Sequence, residues 1–154
     1  MAEVLFYHLD RSPLERVLPG LLERCLERNW RAVVQVGSEE RCAALDAHLW
    51  TYREDSFLPH AAASDGGTNA NTAHLQPIWL TAGDDNPNGA DVRFLTDGAE
   101  AQRIGDYQRV VMLFDGGDRD AVERAREAWK SAKSNGHAAT YWQQDERGRW
   151  VQKG

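Results

Sequence analysis

Two hydrophobic periods alternate along this chain. Val4, Leu5, Phe6, Tyr7 and Leu9 form a short dense apolar run, and Leu14, Val17, Leu18, Leu21, Leu22, Cys25 and Leu26 then recur at steps of three and four. The first pattern fits a strand and the second a helix with one apolar stripe, joined by the turn Asp10-Arg11-Ser12-Pro13. Pro19 interrupts the stripe. A mid-helix proline costs about 3 kcal/mol or more, so the spacing predicts a short turn over 13–17 and a main helix that opens at Pro19 and runs to Asn29. Residues 31–36 read as a second strand. Ser38 then caps a second helix, with Glu39 and Glu40 near its positive end and Cys42, Leu45 and Leu49 on its inner face. Strand–helix–strand–helix at this spacing implies a parallel sheet with right-handed crossovers.

The middle of the chain is less regular. Residues 50–60 are irregular but carry the large side chains Trp50, Tyr52, Phe57 and Leu58, and residues 61–74 are small and polar, as a mobile loop would be. Strands are expected at 78–81 and 92–95 around a long turn at 83–89, with a short helical turn within 99–107. Val110 to Phe114 is apolar on both alternating faces, as a strand inside a covered sheet would be. Asp115-Gly116-Gly117 turns the chain, Asp118 is placed to cap a helix over 119–134, and Asn135-Gly136 stops it. Two strand-like runs flank Asp145-Glu146-Arg147-Gly148 and predict a C-terminal hairpin near 139–152. The whole, residues 1–154, reads as a single α/β domain, a mostly parallel sheet flanked by helices.

Charge changes this picture locally. The chain of 154 residues carries a formal net charge of -6, yet residues 119–153 hold eight Lys/Arg against five Asp/Glu, and residues 1–118 hold ten against nineteen. Arg119, Arg126, Lys130 and Lys133 recur at steps of seven, four and three, forming one stripe beside Trp129. A cationic ridge next to a large aromatic suits an anionic partner with an apolar end. The ordinary alternative is a solvated helix face with Trp129 in the core. The acidic total argues against a general nucleic-acid binder. Cys25 and Cys42 lie in the two predicted helices at no metal or redox spacing, which reads as buried free thiols. No leader and no apolar run of membrane-spanning length is visible, so a soluble cytoplasmic protein is expected.

Catalytic and cofactor motifs are sought in vain. Neither G-x-x-x-x-G-K-[ST] nor G-x-G-x-x-G occurs. Gly116-Gly117, the nearest thing to a phosphate cradle, is flanked by Asp115 and Asp118, whose charge opposes an anion. The histidines at 8, 48, 60, 74 and 137 have no metal-ligand spacing, and His60 reads as a surface or interface residue rather than part of a Ser56/His60 pair. Asp84, Asp85 and Asp91 read as solvated acidic turns.

Several stretches together resemble one family. The opening VLFYHL, ERNWR before a strand and GSEERCAALDAHLW are similar to the chi subunit of bacterial DNA polymerase III, and SFLPH and AREAWKSAKSNG extend the similarity over nearly the whole chain. The resemblance implies a Rossmann-like three-layer fold with no nucleotide site, no catalytic residues, no cofactor and no metal. It implies an adaptor in the clamp-loader assembly, in indirect contact with single-stranded DNA during replication. One implied partner is the acidic, Pro-Phe-ending C-terminal tail of single-stranded-DNA-binding protein. Arg126 matches the family arginine that meets the tail's carboxylate. Trp129 stands where the family has a tyrosine, and Lys130 where it has a basic residue. Val122 borders the pocket, and Lys133 joins Lys130 in attracting the tail's acids. The other implied partner is the psi subunit or another clamp-loader component. Trp50 and Phe57 match the aromatic positions that meet psi, with Leu58 and His60 beside them. Two other classes fit the same features: a small α/β enzyme, and direct single-stranded DNA binding through the basic helix 119–134.

Overall fold

The computed structural model describes residues 2–10, 12–51, 59–63, 72–101 and 103–154. Among these residues, strands β1 (Glu3–Leu9), β2 (Ala32–Gln35), β3 (Ala61–Ala62), β4 (Ile78–Thr81), β5 (Val92–Leu95), β6 (Arg109–Asp115), β7 (Ala138–Gln144) and β8 (Trp150–Gln152) join in one sheet. Its order is β3-β4-β2-β5-β6-β1-β7-β8. Every neighbouring pair is parallel except β7 with β8, which form the C-terminal hairpin. Helices α1 (Leu14–Glu27), α2 (Glu39–Thr51) and α3 (Arg119–Ser134) cover the sheet. Side chains alternate along each strand, so Leu5 and Leu9 of β1 pack with α1 and α2 while Val4 and Phe6 pack under α3. The sheet is therefore buried on both faces, which explains the apolar runs of β2, β4 and β5.

Helix α1 departs from its sequence expectation. It runs unbroken through Pro19, which is buried, rather than opening there. The amide that proline lacks would have bonded the Glu15 carbonyl, and that carbonyl instead accepts a hydrogen bond from His48 Nε2 of α2 at 2.6 Å. A donor from the neighbouring helix thus offsets the missing bond. The stretch expected as a loop over 61–74 also needs correction at its ends. Ala61 and Ala62 are buried and pair with Trp79 and Leu80, and Ala73–Leu75 forms a 3-10 turn. Two alanines carry no strand signal of their own, and pairing with β4 decides their conformation. Residues 64–71 lie outside the described residues. Trp50 and Thr51 close α2 rather than begin an irregular segment.

Helix α3 covers only β6, β1 and β7. On the same face, β5, β2 and β4 are covered by the chain around Ala73, Ala90, Ala99, Ala101, Ile104 and Tyr107. Arg93 on β5 pins that cover. It is fully buried, and each of its five N–H groups has an acceptor. Nε and Nη2 bond Gln35 Oε1 at 3.0 and 2.6 Å, Nη2 reaches the Gly83 carbonyl at 2.8 Å, and Nη1 reaches the Asp85 carbonyl and the Tyr107 hydroxyl, both at 3.0 Å. Asp84 Oδ1 stands 4.0 Å away as counter-charge.

Losing one partner of such a buried set leaves the others unsatisfied. Arg93→Met should cost about 3 kcal/mol or more in urea denaturation. By contrast Arg41→Met, which removes partly exposed ion pairs to Glu15 and Asp97, should cost about 1 kcal/mol or less.

Candidate functional site

Successive helix residues turn by about 100°, which divides α3 into three strips. Ala121, Ala125, Ala128 and Ala132 face the sheet, with Ala125 and Ala132 buried. Val122, Arg126, Trp129 and Lys133 lie on the flank towards β7, and Arg119 and Lys130 continue that flank outward. Asp120, Arg124, Glu127 and Ser131 occupy the opposite flank, and Glu123 lies on the outward face with Lys130. The cap is as expected, with the Asp118 carboxylate accepting from the amides of Asp120 and Ala121 at 3.0 and 3.3 Å. Gly136 takes the left-handed stop at φ +81°.

Trp129 is half-buried, so it is both wall and core. Its ring meets the edge of Phe6 at 5.6 Å and of Tyr141 at 6.2 Å, and Lys133 Nζ lies 4.4 Å from its centroid. Val122 packs on the same cluster. Arg126, Lys130 and Lys133 are exposed. Lys130 makes a 3.7 Å pair with Glu127, which solvent screens, whereas Arg126 has no carboxylate within ion-pair distance among the described residues. The structure therefore brings Val122, Arg126, Trp129, Lys130 and Lys133 onto one patch. A guanidinium and two ammonium groups beside an apolar ring can hold a carboxylate and an apolar side chain together.

The strand half of this patch is not foreseen from sequence. Tyr141 on β7 stands against Trp129 and Phe114, and its hydroxyl hydrogen-bonds His8 Nδ1 of β1 at 2.7 Å. Burial pushes its phenol up, with Arg126 acting in the opposite sense. His8 fills the space above Gly116, where a Cβ would fall 1.9 Å from Nε2. Gly116 thus serves the packing of His8 rather than a phosphate. Gly117 N–H is taken by Asp115 Oδ1 at 2.8 Å. Strand alternation groups 139, 141 and 143 on one face, but only the strand order shows that this face meets α3.

The opposite flank of α3 borders an open groove of about 1480 Å³ at the C-terminal ends of β1, β5 and β6. Ligands of doubly wound folds bind in this place. Its lining is mixed in charge: Asp10, Glu15, Asp97, Asp115, Asp118 and Glu123 face Arg41, Arg124, Arg126 and Lys130. The α3 amides that could meet a phosphate already hold Asp118. No group of metal-ligating side chains assembles among the described residues. Asp85 is used within the protein, accepting from Trp79 Nε1 at 2.9 Å and Thr81 Oγ1 at 2.5 Å. Cys25 and Cys42 are buried, and burial pushes the Cys25 thiol up to about 11, so it stays protonated at neutral pH.

On the far side of the sheet Trp50 is 49% exposed. His60, expected at the surface, is buried. Its Nε2 lies 3.0 Å from Asp46 Oδ1, and its ring lies 4.3 Å from that of Trp50. A partly buried carboxylate partner explains why a histidine is tolerated inside. Phe57 and Leu58 lie outside the described residues. No helix among those described is long and apolar enough to cross a membrane.

Comparison with known proteins adds the family. The model of the family described as DNA polymerase III chi subunit, HolC, matches residues 1–140. Over 122 residues, 75% of this chain and 71% of the relative, the chain is 26% identical to the probable DNA polymerase III subunit chi of Rickettsia prowazekii (strain Madrid E). The family match takes in all of α3 and its basic flank, and ends before Tyr141 and β8. The chain belongs to the DNA polymerase III chi subunit family, the non-catalytic accessory subunits of that polymerase.

Proposed function

We propose that this protein is a cytoplasmic adaptor whose α3–β7 patch binds the acidic C-terminal tail of single-stranded-DNA-binding protein, coupling DNA-bound protein to the polymerase assembly. One observation carries the reading: the exposed Arg126, with no ion-pair partner among the described residues, stands one turn from the half-buried Trp129. Arg126 forks onto the tail's terminal carboxylate. Val122 and Trp129 hold its last aromatic side chain. Lys130 and Lys133 steer its acids, which raises the association rate. Trp50, its ring tilted against that of the buried His60, offers a separate aromatic surface for a psi-type clamp-loader subunit.

Three outcomes are expected. In calorimetric titration with an acidic peptide ending in Pro-Phe, Arg126→Ala should weaken binding by at least about 2 kcal/mol, roughly thirtyfold in Kd. Retained affinity would remove Arg126 from the role. Replacing Lys130 and Lys133 together by Ala should slow association up to about tenfold at low salt, an effect lost near 0.5 M where screening is short-ranged. An affinity for bare single-stranded DNA with the same steep salt dependence, and none for the peptide, would favour direct DNA binding instead. Trp50→Ala should abolish co-elution with a purified psi subunit and leave peptide affinity unchanged. Loss of both would point to misfolding rather than a second surface.

A further inference from the structure

We propose that residues 152–154 form a displaceable strap along the edge of Trp129, an internal competitor for the surface that a bound peptide's terminal aromatic residue takes. The strap rests on the tail-binding reading above. Lys153 N–H donates to the Tyr141 carbonyl at 2.6 Å, and Tyr141 N–H donates to the Gly154 carbonyl at 3.3 Å. Gln152 Nε2 reaches that same carbonyl at 3.1 Å. A Cβ at position 154 would lie 3.5 Å from Trp129 Cη2 and 3.7 Å from Tyr141 Cβ, so the Gly154 backbone runs along the edge of the indole. These are backbone bonds to a strand beside an aromatic wall. An extended peptide laid along β7 at Trp129 would make the same set.

Three features make the strap displaceable rather than a fixed wall. Residues 151–154 are exposed and follow Trp150, which packs on Tyr7 and anchors the start of β8, so few buried contacts hold the strap itself. Glycine offers Trp129 little apolar surface, and on release it regains more backbone freedom than any other residue. A phenyl ring would cover more of the indole than a glycine does. The family match ends at residue 140, so the strap belongs to a stretch beyond the shared region. A closed strap lowers apparent affinity by the fraction of molecules in which the pocket is open.

The test compares the full chain with a variant ending at Val151, titrated with an acidic peptide ending in Pro-Phe. A second variant, Lys153→Pro, removes the amide that bonds Tyr141 without shortening the chain. Both should bind about threefold tighter or more, the gain expected when a closed state is removed. In the full chain, hydrogen exchange at the Lys153 amide should quicken when peptide binds. Equal or weaker binding by both variants, or a Lys153 amide that stays protected in the complex, overturns the strap and leaves the tail reading standing. No binding by any of the chains overturns the tail reading and the strap with it.

Discussion

A parallel sheet has to be covered on both faces, and among the described residues three α-helices lie on this one. Two lie on one side, so α3 alone serves the other and reaches no farther than β6, β1 and β7. The remaining half is closed by irregular chain, whose carbonyls must find donors as they leave water. Arg93 supplies them, anchoring the carbonyls of Gly83 and Asp85 and the hydroxyl of Tyr107 to the sheet. A buried guanidinium is a costly group, tolerated here because every N–H is used and a carboxylate stands nearby. With that half closed by loops, α3 is free to sit at the β7 edge.

The position of α3 then fixes the site. Four alanines at 121, 125, 128 and 132 let the helix lie close on β1, β6 and β7, and a close helix leaves no room for an indole beneath it. Trp129 is turned to the flank, where Phe6 supports one side of the ring and Tyr141 another. Tyr141 is held in turn by His8, and His8 by the absence of a side chain at Gly116. A chain of packing contacts thus runs from the β6–α3 turn to the wall of the pocket.

Much of this is legible in the sequence, and the parts that are not share a cause. Strands, helix order, the Asp118 cap and the basic stripe follow from local periodicity. Pro19 is misjudged because its compensating donor, His48, sits on a different helix. Ala61 and Ala62 become a strand only through pairing with β4. His60 reads as a surface residue because its partner, Asp46, belongs to a helix earlier in the chain. The α3 half of the site can be read from its spacing. The β7 half cannot, since His8 and Tyr141 are 133 residues apart and meet only because β1 lies between β6 and β7. Tertiary pairings carry no short-range signal.

The charge pattern of α3 gives the molecule a direction. Its sheet-facing alanines separate the flank of Arg126, Trp129 and Lys133 from a flank of mixed charge with Asp120, Arg124 and Glu127, within the width of a single helix. The chain as a whole is acidic at -6, so its field repels an acidic ligand nearly everywhere. For a ligand of the kind proposed, attraction at Arg126, Lys130 and Lys133 and repulsion at Asp120 and Glu123 act together. Repulsion elsewhere on an acidic chain bears on where a ligand of that kind would settle as attraction does, because specificity is a difference between two sites.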